Sequence, residues 1–280
     1  MNKLVKLSYS SMKTLQSCQQ RYSHYKITNT PHDADYEESD ALGLGKAVHQ
    51  VLETTLHMDY SQDLIMKAML DHNVDAEDSA LIEVMCRKYT QYHKKSGLRV
   101  VKCELGIETD SYVGFIDALA VDETGGFWII DLKTAGRHDP NTLPQLPKDM
   151  QLNLYAHFAE TLPDFVKELK GLEFRGCRYR QIIKSKAKTA SGLEKGVQIY
   201  DIEIPVSMMD PESAWSLFNE VHDLAIELNQ GLAPKKNYGA CFNFFSPCPY
   251  FSKCHGHLFS EGANKVKIHT LESVEDAELL

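Results

Sequence analysis

The spacing of apolar and polar positions predicts a mostly helical first part of the chain, followed by strands and helices. Apolar residues recur at helical spacing in four early segments, which are 8–27, 43–56, 62–70 and 76–94. Runs of β-branched and aromatic residues predict five later strands, which are 98–108, 112–121, 127–133, 172–184 and 197–204. Two further helices are predicted over 151–162 and 211–229. This order predicts one α/β domain with helical additions at both ends.

A glycine-containing tetrapeptide, residues 123–126, separates the second and third predicted strands and is typical of a hairpin turn. Alternate side chains of a strand share a face, so Asp131 and Lys133 project together while the apolar residues between them point to the opposite side. With the turn at this tetrapeptide, the register places Asp117 opposite residues 132–134. Two carboxylates and one ammonium group are therefore expected to converge.

This group of charges has the chemistry of a site for a hard divalent ion. Carboxylate oxygens suit Mg²⁺ or Mn²⁺, and a lysine beside them can polarise a water and offset charge in phosphoryl transfer. The alternative is a surface hairpin with an ordinary Asp/Lys pair. Asp131, however, follows the apolar residues 128–130, and an unpaired charge at the end of a buried strand is costly.

The charge balance limits the kinds of partner that the chain can bind. Its 280 residues are 43% hydrophobic, enough for one core, and 30 basic residues face 39 acidic ones, for a net charge of −9. A polyanion would therefore have to meet a local basic patch. Residues 174–193 contain no acidic residue, and Arg178, Arg180 and Lys184 share one face if they lie on a strand. We interpret this face as a track for nucleic-acid phosphates; the alternative is an ordinary solvated strand and loop.

Seven cysteines, an odd number, do not indicate a disulfide framework, and no segment has the apolar length of a membrane span or signal peptide. We therefore expect a reducing, cytoplasmic compartment, where clustered cysteines favour metal binding. Cys241, Cys248 and Cys254 lie close together in the sequence and suit an iron–sulfur cluster, or zinc with His255 or His257. The remaining alternative is reduced thiols among aromatic side chains. Three other cysteines, in apolar settings, are interpreted as core thiols: Cys86, Cys103 and Cys177.

The segment Gly43-Leu44-Gly45-Lys46 invites a nucleotide-binding interpretation that fails on spacing. A phosphate-binding loop needs a glycine where Asp40 stands and a hydroxyl residue where Ala47 stands. We therefore expect no nucleotide cofactor.

Four short motifs follow one another along the chain. They are Gly45-Lys46-Ala47-Val48-His49, Gly114-Phe115-Ile116-Asp117, Asp131-Leu132-Lys133-Thr134 and Gln151-Leu152-Asn153-Leu154-Tyr155. They resemble the G-x-x-x-H helix, the strand with the first acid, the D-x-K-T strand and the Q-x-x-x-Y helix of the PD-(D/E)XK nuclease superfamily, in its RecB-like branch. Their shared order and spacing extend over roughly residues 10–255.

The resemblance implies a restriction-endonuclease-like α/β core, in which helices flank a mixed central sheet. It implies a single nuclease domain over residues 1–265. The parts of this domain are a helical part (8–95), a nuclease core (98–230) and a Cys-rich segment (238–257). The acidic tail, residues 266–280, is expected to be disordered.

The resemblance also implies roles for individual side chains. Asp117 and Asp131 would hold the metal, His49 would add a ligand, and Lys133 would assist the attacking water. Two helical residues four apart would face the site and contact phosphate or the lysine: Gln151 and Tyr155. Glu104 resembles a family acid whose role varies, so we treat it as a further candidate ligand. For His49 the alternative is a hydrogen-bonded core histidine.

Cys18 resembles the N-terminal cysteine of iron–sulfur-bearing RecB-like nucleases, in which three C-terminal cysteines complete a [4Fe-4S] site. In those relatives the C-terminal spacing is C-x2-C-x5-C, whereas here the first gap is six residues and the second is five. The ligand set implied by the resemblance is Cys18, Cys241, Cys248 and Cys254, with zinc as the alternative metal.

These features predict a metal-dependent DNA exonuclease that uses Mg²⁺ or Mn²⁺ and acts on DNA ends or single strands in recombination, repair or phage DNA processing. We expect DNA binding without sequence preference, because no base-reading motif is present. A bacterial or phage-infected cytoplasm is the expected compartment, and a recombination or replication protein is a further candidate partner. The alternative is a non-catalytic DNA-binding or adaptor subunit that retains the nuclease fold.

Overall fold

A computed structural model describes residues 5–34, 40–187, 189–243 and 246–255 of the chain. The chain divides into two compact units. The first unit comprises Met1–Met12 and Glu38–Ile226, and the second comprises Lys13–Glu37 and Glu227–Leu280. The predicted acidic tail and His257 lie outside the described residues.

The described part of the chain contains helices of very different lengths. In chain order they are α1 (Tyr9–Ser17), α2 (Gln19–Tyr22), α3 (Asp40–Thr54), α4 (Gln62–Asp71), α5 (Ser79–His93), α6 (Met150–His157), α7 (Leu162–Phe165), α8 (Ala190–Gly196), α9 (Pro211–Asn229) and α10 (Phe251–His255). Several begin at a side-chain cap that satisfies a free backbone N–H: the Ser61 hydroxyl accepts from Leu64 N before α4, and the Asp149 carboxylate accepts from Leu152 N before α6.

Five strands form the main sheet, which lies in the first unit. They are β1 (Leu98–Glu108), β2 (Val113–Asp122), β3 (Gly126–Ala135), β4 (Glu173–Ile183) and β5 (Gln198–Pro205), and they neighbour one another in this order. All adjacent pairs are antiparallel except β3 and β4, which are parallel. The parallel pair requires a crossover, and α6 and α7 lie within it. This mixed sheet confirms the predicted fold class.

The turn between β2 and β3 forms where the glycines predicted it. The Asp122 carboxylate accepts hydrogen bonds from the backbone N–H groups of Thr124 and Gly126, at 2.8 and 2.9 Å. Gly125 has a φ of +86°, a conformation that favours glycine. Burial alone would raise the pKa of Asp122, but the hydrogen bond from Gly126 and those from its other partners lower it to about 2.

Helices cover both faces of the sheet. On one face, apolar residues of α3, α4 and α5 pack with Leu132 of β3 and Ile182 of β4. On the other face, residues of α6 and α7 pack with Ile129 of β3 and Cys177 of β4. Because Ile129 and Leu132 enter different cores, β3 is buried on both sides, which agrees with its nearly continuous apolar sequence.

The first predicted helix is shorter than expected. It ends at Ser17, and the chain then forms α2 and a π-helical turn, Ser23–Ile27. Cys18 lies between the two helices in an extended conformation, with φ −161° and ψ 114°. Apolar periodicity continues through this break, which is why sequence spacing did not locate it.

The second unit joins an early and a late segment of the chain. The Asn237 side-chain amide donates to Ser17 O at 2.8 Å, and the backbone of Asp33 donates to Pro249 O at 2.7 Å. The rings of His24 and Tyr250 stack with their centroids 5.2 Å apart. Two very short strands complete this unit: β6 (Phe242–Asn243) and β7 (Ser246–Pro247).

None of the described helices has both the length and the apolar character needed to cross a membrane.

Candidate active site

Helix α3 carries His49 and Glu53, one turn apart on the same side of the helix. His49 Nδ1 lies 3.5 Å from Glu53 Oε1. Gly45 lets this helix approach β3, because a Cβ atom added at Gly45 would lie only 2.7 Å from Thr134 Oγ1. His49 is half-buried and lines a cleft, so it is not the core histidine of the alternative interpretation.

Asp117 lies where β2 and β3 separate. Their paired residues run from Val121 and Phe127 to Ala118 and Ile130, and the pairing stops before Asp117. The Asp117 Oδ2 atom instead accepts a hydrogen bond from the backbone N–H of Leu132, at 2.7 Å. The predicted register, with Asp117 opposite residues 132–134, is therefore wrong by one to three positions, because the turn is centred on Thr124, earlier in the sequence than assumed. The predicted approach of Asp117 to the Asp131–Lys133 segment is nevertheless present.

The buried Asp131 and the partly exposed Lys133 form an ion pair, and helix α6 extends it. Lys133 Nζ donates to Asp131 Oδ1 at 2.8 Å and to Gln151 Oε1 at 3.2 Å. Gln151 Nε2 donates to the Tyr155 hydroxyl at 2.8 Å, and this hydroxyl donates to Phe115 O at 2.5 Å. Gln151 and Tyr155 thus fix the position of Lys133. Tyr155 is buried, so its side chain holds the lysine through Gln151 and has no surface for DNA.

The acids of the site have perturbed protonation. Burial raises the pKa of Asp131 to about 7; the Lys133 ammonium opposes this shift and the Asp117 carboxylate adds to it. The pKa of Glu104 is also raised to about 7. The causes are burial, the negative charge of Glu53 and a hydrogen bond between Glu104 and Glu53. Burial would lower the pKa of Lys133, but the carboxylates of Asp131 and Asp117 raise it above its usual value. Four carboxyl groups, those of Glu53, Glu104, Asp117 and Asp131, thus lie near one ammonium group, and a bound cation would favour their ionised forms.

Potential ligand atoms of His49, Glu53 and Asp117 all lie within 4.8 Å of one another. His49, Glu53 and Glu104 also line a cleft of about 890 Å³, together with Lys133 and Lys184. Glu104 has a φ of +47°, at a position where the pairing of β1 with β2 is irregular. Sequence reasoning missed Glu53. Its spacing of four residues from His49 on a helix was the signal that could have found it.

The predicted phosphate track on β4 is wrong for two of its three residues. The Arg180 side chain is fully buried, and its Nε donates to Asp201 Oδ2 at 2.9 Å. Arg178 is mostly buried and pairs with Asp201 Oδ1 and Glu203 Oε2, each at 2.8 Å. The two arginines do share a face, but α5 covers it and acids of β5 neutralise it. Lys184, just after β4, is the member that lines the active-site cleft.

In the second unit, the four cysteines predicted to bind metal line one recess. Cys248 N donates to Cys241 O at 2.8 Å. Cys241 Sγ lies 3.3 Å from His255 Nε2, and Cys254 Sγ lies 3.5 Å from His24 Nε2. The structure therefore brings Cys18 to the C-terminal trio, although more than 200 residues separate them in sequence. As predicted, Cys86 and Cys177 are buried core thiols, and the partly buried Cys103 packs against a small apolar cluster.

The fold and the site define a class of protein. The core is restriction-endonuclease-like: it has three antiparallel strands, then a helical crossover, then a fourth strand that is parallel to the third. An Asp-x-Lys pair lies at the point where two of the strands separate. The sequence matches the PD-(D/E)XK nuclease superfamily over residues 6–255. The chain belongs to this superfamily.

Comparison with solved structures agrees with the fold. The crystal structure of a "Putative exonuclease" from Eubacterium rectale is similar with a TM-score of 0.55 and 14% identity, over 98% of this chain and 94% of that one. The crystal structure of SSO0001 is aligned over 78% of this chain and 87% of that one, with 11% identity, but its TM-score of 0.28 carries no structural argument. No curated protein matches the chain.

Proposed function

We propose that the chain is a divalent-metal-dependent DNA exonuclease of the RecB-like branch, acting in recombination, repair or phage DNA processing. The observation that carries this proposal is a cleft lined by His49, Glu53 and Lys133, with Asp117 close to His49 and Glu53 and with Asp131 paired to Lys133. The superfamily match, which extends through both units, supports the predicted single nuclease domain over residues 1–265.

The residues present fit a hard divalent cation. Oxygen atoms of Asp117 and Asp131, with His49 and the additional acids Glu53 and Glu104, provide the donor set that Mg²⁺ or Mn²⁺ prefers. The raised pKa values of Asp131 and Glu104 fit the same conclusion, because a bound cation would favour the ionised carboxylates. When bound, such a cation would stabilise negative charge on the phosphoryl oxygens.

Lys133 is the group that acts on the attacking water in this proposal. Its ammonium has three N–H donors, of which one is directed to Asp131 and one to Gln151. The third N–H can bind the water or a phosphate oxygen. Because Gln151 and Tyr155 hold the ammonium in place, the lysine is preorganised for the transition state.

A second cofactor is proposed for the second unit, where four thiols line one recess. This soft donor set fits the predicted [4Fe-4S] cluster. Zinc is the alternative, and the contact of Cys241 with His255 favours testing it. Either metal would join the early and late segments of that unit.

The first prediction tests the nuclease proposal. With Mn²⁺ or Mg²⁺, the protein is expected to degrade DNA labelled separately at each end, and Asp131→Asn or Lys133→Ala is expected to reduce the rate about 100-fold or more. Asp164→Asn, at an exposed position of α7, is the matched control and should retain the wild-type rate. Full activity of Asp131→Asn would refute the assignment. DNA binding without cleavage in either metal would favour the adaptor alternative.

A further inference from the structure

The helix α3, which carries candidate metal ligands, ends in a strained turn. Just after its last residue, Thr54, both Leu56 and His57 have left-handed backbones, with φ of +50° and +62°. Leu56 N donates to Glu53 O at 3.1 Å, and His57 N donates to Leu52 O at 2.7 Å. This is the hydrogen-bond pattern of a Schellman cap, in which the left-handed position is usually a glycine. The last turn of α3, including Glu53, is thus closed by residues whose own backbone preference opposes the cap.

The imidazole of His57 is buried beneath this cap and makes one hydrogen bond within the described part of the chain. Its Nδ1 atom lies 2.8 Å from the Tyr89 hydroxyl, whereas its buried Nε2 atom has no partner among the described residues. Burial lowers the pKa of His57 well below its usual range, and the charges of His93 and Arg180 add to this, so the ring is neutral. An apolar side chain would leave no buried nitrogen unpaired, so the bond to Tyr89 is what a histidine contributes here.

Tyr89 is itself held in place from the sheet. Arg180 Nη1 donates to the Tyr89 hydroxyl at 3.0 Å, and Arg180 Nε donates to Asp201 Oδ2 at 2.9 Å. Because the hydroxyl accepts from the arginine, its own proton is available for His57 Nδ1. A buried path of hydrogen bonds thus runs from β5 through β4 and α5 to the end of α3. Such a path keeps its members in one geometry, because leaving any of its buried groups unpaired is costly.

The end of α3 that this path holds is the end nearest to the candidate metal ligands. Glu53 lies in the last turn, with an oxygen 3.5 Å from His49 Nδ1, and potential ligand atoms of both lie within 4.8 Å of one from Asp117. Val51 and Leu52 hold α3 in the core by apolar contacts, which have no direction. A hydrogen bond is directional, so the bond from Tyr89 can fix the last turn more closely than the core does.

We propose that His57 is a positioning residue, which through its bond to Tyr89 holds Glu53 and His49 at the distance from Asp117 that a divalent cation needs. The inference rests on the proposed nuclease function and assigns a role to a residue outside the four motifs. His57 acts on the cation through the ligands of α3 and does not contact the reacting atoms.

Binding of Mn²⁺ in the absence of DNA tests this role without cleavage. The electron paramagnetic resonance signal of free Mn²⁺ measures binding, and the ions that Asp117→Asn fails to bind define the site. His57→Leu and Tyr89→Phe remove the bond from opposite ends, and each is expected to weaken Mn²⁺ binding about tenfold. The double variant should also lose about tenfold and no more, because both changes remove the same bond.

Two further variants separate positioning from general stability. His57→Asn keeps an acceptor for Tyr89 and tolerates the left-handed backbone, so it should bind Mn²⁺ within about twofold of the wild type. Ile204→Val lowers stability in the core on the other face of the sheet and should keep the wild-type affinity. In DNA cleavage, His57→Leu should need about tenfold more Mn²⁺ for half its maximal rate, and saturating Mn²⁺ should restore a rate near that of the wild type.

Wild-type affinity in both His57→Leu and Tyr89→Phe, multiplied losses in the double variant, or an equal loss in Ile204→Val would overturn the inference. So would a wild type that binds no Mn²⁺ through Asp117. A wild type that binds this Mn²⁺ but cleaves no DNA would refute the nuclease proposal alone, since the affinities of the variants would still decide the role of His57.

Discussion

Gly45 shows how one residue sets the distance between the helix that carries His49 and the strand that carries Lys133. Its missing Cβ is what permits the contact between α3 and Thr134 Oγ1. His49 and Glu53 follow on the same helix, so any shift of α3 moves both away from Asp117. The G-x-x-x-H spacing thus combines a steric requirement with a chemical one.

Replacing Gly45 by alanine tests this steric requirement. In an open helix this change would stabilise the protein by about 1 kcal/mol, whereas here we expect a net loss of about 1 to 3 kcal/mol from overpacking. Denaturant unfolding measures the effect. Thr134→Ala removes the nearest atom and leaves only the Cβ of residue 134, at 4.0 Å, an ordinary van der Waals contact, so the double variant should recover most of the loss. Additive losses in the double variant would show that the contact is not the cause.

At the scale of elements, a buried polar network joins α5 to the strands β4 and β5. Arg180 Nη1 donates to the Tyr89 hydroxyl at 3.0 Å and to His93 Nδ1 at 2.9 Å, while its Nε binds Asp201. The Tyr89 hydroxyl donates to Nδ1 of His57, in the loop after α3, at 2.8 Å. The arginines that suggested a phosphate track therefore have a structural role in holding helices on the sheet.

Asp201 is the acid on which this network depends. Asp201→Asn leaves the fully buried Arg180 without its counter-charge, and we expect a loss of about 3 to 5 kcal/mol in the free energy of unfolding. Glu203→Gln removes the other acid bound to Arg178, but its side chain is 52% exposed, so the expected loss is below about 1 kcal/mol. Similar losses in the two variants would contradict a buried, charge-dependent network.

The same network predicts sensitivity to acid. Burial, together with the Arg180 charge, lowers the pKa of His93 to about 4, below the ordinary histidine value of about 6.5. The unfolded chain therefore binds a proton that the folded protein does not, and stability falls as the pH drops from about 6.5 to about 4, by on the order of 3 kcal/mol.

A comparison of wild type with His93→Gln isolates this contribution, because glutamine keeps an acceptor for Arg180 but does not titrate. The raised pKa values of Asp131 and Glu104 make the folded protein more stable as the pH falls, which is the opposite effect. Both proteins contain these two acids, so this contribution cancels when their free energies of unfolding are subtracted. Unfolding measured at pH 7 and at about pH 4 should show a smaller acid loss in the variant. An identical loss in both proteins would exclude His93 as a source.

At the scale of the whole molecule, the chain returns on itself in the second unit. An early segment, Lys13–Glu37, and a late segment that starts at Glu227 form this unit, and all four cysteines of the predicted cluster line the same recess. A cluster bound by them would close a loop of more than 200 residues, so the loss of one ligand should release both segments.

Cys248→Ser tests the cluster at this scale. Anaerobically purified wild type should be brown, with broad absorbance near ~400 nm, and the variant should lose this colour. Limited proteolysis should then cut the variant first within residues 13–37 and 227–255, and Cys103→Ser is the control that should keep both properties. Colourless protein containing zinc would assign the site to zinc, and metal-free protein with unchanged protease resistance would refute both cofactors.

Much of the fold could be predicted because its signals are local. The strand limits of β1 and the helix α9 agree with the apolar periodicity to within a residue, and the glycines of the β2–β3 turn located the hairpin. The break at Cys18 and the short helix α8 were missed, because neither interrupts or creates a long periodic pattern.

By itself, the sequence determined the order of the elements and the motifs that carry His49, Asp117, Asp131 and Lys133, because periodicity and spacing are properties of neighbouring residues. Only the tertiary structure decided that Glu53 joins His49 and Asp117, and that α5 buries Arg180. Burial and charge pairing depend on what packs against a residue from distant parts of the chain, and no local pattern encodes that partner.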